Sequence, residues 1–276
     1  MATAFYFFSF LFGVIIGSFL NVVIYRYNTG VSLGGRSMCM SCGKRLSWHE
    51  LIPVVSFLVQ KRKCANCGSR VSAQYPATEL LTGLLFLLVF YSQYPILTVT
   101  DVINTVFYSI VMSLLVVITV YDWKHKIIPD GLVYTFAALS FGIFLFHAGL
   151  PLDRLSSAPY MLNMLAGPIL ATPFALLWLL SHGRWMGLGD AKLALGIGWF
   201  LGLYSAISAI ILAFWIGSLF GIGLLVLSRV RGLFSSSKTF TMKSEIPFGP
   251  FLVLGTLLVF FFHIDVLSFS GVFFSI

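Results

Sequence analysis

Long apolar stretches are the feature that most constrains this chain. An α-helix needs roughly 20 residues to cross about 30 Å of hydrocarbon. In a bilayer every backbone polar group must be bonded internally, so stretches of about this length are predicted to be helices. Eight of them lie at about residues 4–25, 77–94, 101–121, 131–149, 160–181, 191–203, 205–228 and 249–268.

The composition excludes an ordinary soluble globule. Only 9% of the 276 residues are charged and 59% are hydrophobic, whereas a soluble domain is about 25% charged. We therefore predict an all-α, polytopic integral membrane protein with about eight transmembrane helices. The N-terminal stretch has no basic residue before Arg26, so it is predicted to be a retained span rather than a cleaved signal peptide.

The positions of the basic residues, which give the chain a net charge of +8, predict the orientation of the spans. In a multi-pass membrane protein, basic residues gather on the cytoplasmic side, so this excess does not point to a nucleic-acid partner. With the N-terminus outside, 16 of the 17 basic residues fall in four cytoplasmic segments, at 26–76, 122–130, 182–192 and 229–248. We predict three parts: a first transmembrane helix (1–25), a cytoplasmic loop (26–76) and a transmembrane core (77–276).

The cytoplasmic loop contains all four cysteines in a repeated motif. Residues 39–47 and 64–72 both read C-x-x-C-G-x-R-aliphatic-S. Two thiolates three residues apart can bind one side of a tetrahedral Zn²⁺, and the following glycine permits a turn that points backbone N–H groups at sulfur. Disulfides or a redox dithiol are the alternatives, which a reducing compartment disfavours. A structural zinc ion is predicted at Cys39, Cys42, Cys64 and Cys67.

Two of the nine acidic residues stand at predicted span ends. Asp122 ends the third apolar stretch, and Asp190 follows Gly187-Leu188-Gly189 at the start of the sixth. Two convergent carboxyl groups can share a proton, one accepting from water while the other donates to a scissile carbonyl, as in aspartic proteases. The structural alternative is that each aspartate caps a helix.

The other motifs near these aspartates indicate less. Lys192 stands where a dinucleotide fingerprint needs its third glycine, and no G-K-[ST] occurs, so nucleotide-binding interpretations fail. Asp130, after Pro129, is predicted to cap the fourth span. Glu79 lies at the start of the second span, and Glu245 precedes the last one. Each could either interact with a helix dipole or have a functional role.

Six motifs in order along the chain resemble those of type IV prepilin peptidases, the membrane G-x-G-D aspartic peptidases that process pilin and pseudopilin precursors. They cover nearly the whole sequence. They are GSFLNVVIYR at 17–26, the paired C-x-x-C loop, WHELIP at 48–53 with YPATE at 75–79, Asp122 with Ile128-Pro129-Asp130, GLGD at 187–190 with Lys192, and IPFGP at 246–250.

The resemblance implies cleavage of a short basic leader after glycine, followed by N-methylation of the new terminal residue with S-adenosylmethionine as donor. It implies that Asp122 and Asp190 are catalytic. It also implies a bacterial inner-membrane location, an active site that faces the cytoplasm, and prepilins or pseudopilins as substrates. No methyl-donor motif occurs in the chain, and Glu50 and Glu79 are the candidates for binding this cofactor.

Two alternative functions stay open at this point. One is a G-x-G-D protease that cuts within transmembrane spans. The other is a non-catalytic, zinc-stabilised assembly protein of a pilus or secretion system, in which the aspartates are only helix caps. Mapping the cleavage position tests the first, and replacing either aspartate by asparagine tests the second.

Overall fold

The computed structural model describes residues 2–30, 32–148, 158–232 and 246–267. Arg154, Lys238, Lys243 and Glu245, which the sequence arguments use, lie outside these ranges. In the described residues the regular structure is helical, with two isolated β-bridges. This confirms the all-α prediction. The elements are α1 (Ala2–Arg26), a 3₁₀ helix (Trp48–Leu51), α2 (Val55–Val59), α3 (Gln74–Gln93), α4 (Val99–His125), α5 (Asp130–Ala148), α6 (Ala158–Ser181), α7 (Leu188–Leu201), α8 (Leu203–Gly232) and α9 (Gly249–Phe262).

Six of the described helices are long and apolar enough to cross a bilayer, namely α1, α3, α4, α5, α6 and α8. Helices also form at the two remaining predicted positions, but α7 and α9 have only 14 residues each. At 1.5 Å per residue they reach about 21 Å, which is less than the hydrocarbon core of about 30 Å. The chain is therefore a multi-pass membrane protein, and six of its eight predicted spans reach full length.

The chain divides into two compact units, Met1–Val120 and Tyr121–Ile276. In the first unit, α1 packs along α3 through glycines. A Cβ added at Gly13 would lie 2.8 Å from the carbonyl oxygen of Thr82, and one added at Gly17 would lie 2.7 Å from Cα of Glu79. Only glycine fits at such distances, so the two backbones are in direct contact. This packing fixes Glu79 on the side of α3 that faces α1.

In the second unit, α7 is the central helix and contacts α5, α6, α8 and α9. Leu193, Ala194 and Ile197 of this helix are fully buried. Glycines again set the approach, because a Cβ at Gly196 would lie 2.5 Å from the Phe136 ring and one at Gly198 would meet the backbone of Ala166. The buried position of α7 holds its first turn, which carries Asp190, inside the unit.

The α1–α3 contact predicts that Gly13→Ala lowers the stability of the first unit. The new methyl group would meet backbone and Cβ atoms of α3, which cannot rotate away. Overpacking of this kind costs about 1–3 kcal/mol, and thermal unfolding in detergent measures it. Gly223→Ala in α8 is the matched control, because a Cβ there has no atom within 4 Å. Equal melting temperatures for the two variants would contradict the prediction.

Candidate active site and metal cluster

Asp122 and Asp190 both lie near helix ends in the second unit. Asp122 is three residues before the end of α4 at His125, and Asp190 is in the first turn of α7. Their exposed fractions are only 4% and 7%. Helical geometry alone would place an aspartate near a helix terminus at the surface, so burial of both indicates that other segments cover them.

Ile128 and two glycines bring these aspartates together. Ile128 lies against Gly189, where an added Cβ would be 2.8 Å from the Cβ of Ile128. The same isoleucine lies against Gly249 at the start of α9, where an added Cβ would be 3.1 Å from its Cδ1 and 2.5 Å from Oδ2 of Asp122. Backbone from three segments therefore closes around the carboxyl groups.

The two carboxyl groups lie close enough to interact electrostatically. Oδ2 of Asp122 and Oδ1 of Asp190 are buried and have no hydrogen-bond partner among the described residues. The N-cap position of α7 is Gly187, and the Asp190 carboxyl group faces its backbone, so capping accounts for at most one of its oxygens. Buried polar atoms without partners are rare in folded proteins and require an explanation, such as a catalytic role.

Asp130 and Lys192 form an ion pair beside this dyad. Lys192 Nζ donates to Oδ1 of Asp130 at 2.7 Å and lies 5.1 Å from the centre of the Tyr134 ring. Asp130 is the first residue of α5, and its side chain is 64% exposed. Lys192 is two residues after Asp190, so it points to the other side of α7. The cation that the sequence places nearest Asp190 is thus paired elsewhere.

The two cysteine motifs fold into matching knuckles. In each, the amide of the first cysteine bonds a carbonyl five residues later, with Cys39 N to Lys44 O and Cys64 N to Ser69 O both at 2.9 Å. Gly43 and Gly68 have φ of +70° and +68°, a conformation that favours glycine. The N–H groups of Cys42 and Ser41 and the Ser69 hydroxyl lower the pKa of the Cys39 thiol to about 6. The predicted turn is therefore present in both repeats.

All four cysteine sulfurs lie within 4.8 Å of one another, so this cluster could hold a metal ion. The four thiols are free, and Cys39 Sγ is 3.9 Å from Cys67 Sγ. Tetrahedral Zn–S bonds of about 2.3 Å require sulfurs about 3.8 Å apart. The donor set and its spacing therefore fit a tetrahedral metal with four thiolate ligands.

Glu50 is bound within the cysteine loop. Its Oε2 accepts a hydrogen bond from the Ser47 amide at 2.8 Å, and its Oε1 accepts one from Lys44 Nζ at 3.4 Å. The Ser47 N–H, and after it the Lys44 ammonium, hold the pKa of Glu50 below its ordinary value. Both oxygens therefore have partners in the chain.

Glu79 ties the loop to α3. Its side chain is buried, and Oε2 accepts a hydrogen bond from the Val54 amide at 2.7 Å. Val54 has a φ of +60°, which is strained for a β-branched residue. The carboxylate thus holds an unfavourable turn next to the end of a membrane span.

Comparisons with known proteins identify the family. The family model for the bacterial peptidase A24 N-terminal domain matches residues 11–93, and that of the type IV leader peptidase family matches residues 109–222. A prepilin leader peptidase/N-methyltransferase of Bacillus subtilis is 31% identical over 94% of this chain and 95% of its own length. The chain belongs to the prepilin leader peptidase/N-methyltransferase family. It is an enzyme of a protease family, and the resemblance seen in the sequence is confirmed.

Other relatives of this peptidase support the same family. The Aeromonas salmonicida enzyme of the same name is 30% identical over 89% of this chain and 86% of its own length. The Dichelobacter nodosus enzyme is 28% identical over 97% of this chain and 95% of its own length. No solved structure matches the chain significantly.

Two features of this candidate site are not apparent from the sequence. In the sequence Gly249 is only part of the IPFGP motif, yet its backbone packs on Asp122. Ile128 was seen only as part of a motif, yet it is the contact that joins Gly189 to Gly249. The one available signal was that the motifs containing Ile128, Gly189 and Gly249 occur together in the resembling family. A glycine or an isoleucine by itself does not indicate which residues it contacts in the fold.

The contact between Gly249 and Asp122 predicts that Gly249→Ala impairs peptide cleavage. The methyl group would meet Oδ2 and move the carboxyl group by a substantial fraction of an ångström. A misplacement of about 1 Å can cost about a hundredfold in rate. The measurement is the rate of leader removal from a prepilin by the purified variant.

Gly142→Ala in α5 is the control for this experiment, because a Cβ there has no atom within 4 Å. Both variants must retain the wild-type melting temperature for the rates to be compared. Wild-type cleavage by a folded Gly249→Ala variant would refute the assigned contact.

Proposed function

We propose that this peptidase removes the leader of prepilins or pseudopilins by aspartic-peptidase chemistry at Asp122 and Asp190. One observation carries the proposal: two buried carboxyl groups converge, and each has an oxygen with no hydrogen-bond partner in the described part of the chain. The names of the relatives support prepilins as the substrate class. The alternative of a non-catalytic assembly protein leaves the two unpaired oxygens unexplained.

The dyad supplies a general acid and a general base. Two carboxyl groups so close cannot both ionise easily, so they share one proton. The ionised group accepts a proton from a water molecule, whose oxygen attacks the carbonyl carbon of the scissile bond. The protonated group donates its proton to the carbonyl oxygen. The unpaired oxygens of Asp122 and Asp190 are the atoms free to make these contacts.

The position of the dyad favours cleavage at a membrane face over cleavage within a span. Asp122 is three residues from the end of α4, and Asp190 is in the first turn of α7. A protease that cuts within spans needs its carboxyl groups deep in the bilayer. We propose that this face is cytoplasmic and that the membrane is the bacterial inner membrane, because the basic residues gather on the same side.

We also propose that the enzyme methylates the new N-terminus with S-adenosylmethionine. Support comes from the names of the relatives. Both candidate residues for the methyl donor already have partners within the chain: Ser47 and Lys44 hold Glu50, and Val54 and Ser18 hold Glu79.

The metal of the cysteine cluster is proposed to be zinc. Zinc prefers a tetrahedral set of thiolates, and four protein ligands leave no position for substrate, so its role is structural. The loop 26–76 has little buried apolar surface of its own; among its cysteines only Cys64 is buried. Metal binding would therefore contribute directly to the folding of this loop.

Asp122→Asn and Asp190→Asn should each abolish processing of a co-expressed pilin. Loss of a general acid or base lowers the rate by about 10²–10⁴-fold. The measurement is the intact mass of the pilin, which reports loss of the leader and addition of one methyl group separately. Asp101→Asn is the matched control, since it lies at the opposite end of α4 and caps the amides of Leu97 and Thr98.

Normal leader removal by either active-site variant would reject the aspartic mechanism. A cut inside the apolar segment of the pilin would favour the intramembrane protease. If the pilin processed by the wild-type enzyme has lost its leader but carries no methyl group, the enzyme has peptidase activity only.

The purified enzyme should contain about one zinc ion per chain. Cys64→Ser should lose the metal and melt at a lower temperature. Ser41→Ala changes the same cluster without removing a ligand, so it should keep the metal and the wild-type melting temperature. Elemental analysis and thermal unfolding are the measurements. Folded wild-type enzyme with no metal and four reactive thiols would contradict the assignment.

A further inference from the structure

Three arginines line a cavity at the end of the first membrane span. The cavity has a volume of about 350 Å³ and is lined by Arg26, Gly34, Gly35, Arg36, Met38 and Arg45. It lies in the first unit, and neither aspartate of the active site lines it.

Backbone contacts build this cavity around Arg26, the last residue of α1. Its Nη1 donates to the carbonyl oxygens of Ser32 at 2.9 Å and Gly34 at 2.7 Å, and its Nη2 donates to that of Arg36 at 3.4 Å. The segment 32–36 therefore folds over the end of the helix. Because Arg26 ends a helix that is long enough to span the membrane, we expect the cavity at the level of the lipid headgroups.

The first cysteine knuckle places the third arginine. Met38 and Arg45 form an antiparallel bridge, which fixes Arg45 at the rim beside Met38. Arg36 and Arg45 are exposed, so a ligand can reach both. In the second knuckle the matching positions are Lys61 and Arg70.

The loop cannot neutralise these arginines by itself. Residues 26–76 contain eight basic residues and one acidic residue, Glu50. Glu50 is paired with Lys44. The ion pairs found within the described residues are this one and Lys192–Asp130, and neither includes an arginine of the cavity. Three like charges around one cavity call for an anion.

We propose that this cavity binds the phosphate group of an anionic membrane lipid. The guanidinium group matches phosphate through paired N–H donors, and basic pockets at membrane surfaces recognise acidic headgroups. A soluble phosphate has the same chemistry, but the level of Arg26 favours the lipid. The inference does not depend on the peptidase activity.

Native mass spectrometry of the full-length, zinc-loaded protein in detergent tests the site. The probes are phosphatidylglycerol and phosphatidylcholine, whose phosphate is neutralised by its own choline cation. The wild type should bind phosphatidylglycerol more tightly. Arg36→Gln combined with Arg45→Gln should weaken that binding by about thirtyfold, from the usual contribution of two basic residues at an anionic membrane.

Lys61→Gln combined with Arg70→Gln is the matched control, because it removes the same charge from the equivalent positions of the second knuckle. It should bind phosphatidylglycerol nearly as well as the wild type. Equal weakening by both double variants would mean that only overall charge matters and would overturn the site. Zinc content and melting temperature check the folding of each variant. Should the double variant fail to fold, Arg45→Gln alone should weaken binding about fivefold, and an unchanged affinity would overturn the site.

A competition arm separates the two sources of phosphate. Inorganic phosphate is added to the complex with phosphatidylglycerol at the concentration of the lipid. The lipid should stay bound, because its acyl chains add affinity that the free ion lacks. Displacement by inorganic phosphate alone would assign the cavity to a soluble anion and overturn the lipid proposal.

Discussion

The burial of Asp122 and Asp190 against closely packed backbone is the constraint on which the second unit depends. Burying an ionised carboxylate costs several kcal/mol unless it is paired, and no cation pairs with either aspartate among the described residues. Packing therefore sets their positions, together with one backbone N–H contact each, from Gly249 to Asp122 and from Gly187 to Asp190. Gly189 and Gly249 let two backbone segments meet on Ile128, and a side chain at either glycine would separate them. The proposed chemistry needs this rigidity, because a carboxyl oxygen without a hydrogen-bond partner is held in place only by the packing around it.

The short length of α7 is also a consequence of its burial within the second unit. With 14 residues it is too short to span the bilayer, yet it contacts four other helices, and its residues Leu193, Ala194 and Ile197 are fully buried. A helix buried within a bundle does not have to match the bilayer thickness, because neighbouring protein segments can satisfy the polar backbone groups at its ends. A helix that begins inside the unit carries its first turn inward. The first turn of α7 thus places a carboxyl group next to the end of α4.

Much of this architecture follows from local sequence, and the rest does not. Apolar length predicted a helix at every one of the eight positions, and the repeated C-x-x-C-G motif predicted two equal knuckles. Hydropathy failed to separate α9 from a full span, because a buried helix and a spanning helix are equally apolar. For α7 there was a signal in the sequence, since the sixth apolar stretch, 191–203, is short. Lys192 follows Asp190 by only two residues in the sequence, yet its partner is Asp130, 62 residues away in the chain. The arginine cavity depends on carbonyl contacts of Arg26, which no residue pattern encodes.

The charges of the first unit bear on how a basic substrate leader would approach. The loop 26–76 carries eight basic residues, and its only acid, Glu50, is neutralised by Lys44. Glu79 is buried and bonded to Val54, so it does little to offset the field at the surface. Such a surface repels a basic peptide over about a Debye length, which is about 8 Å at physiological salt. Anionic headgroups bound by Arg26, Arg36 and Arg45, as proposed, would lower this repulsion, because they would offset the positive charge of the loop.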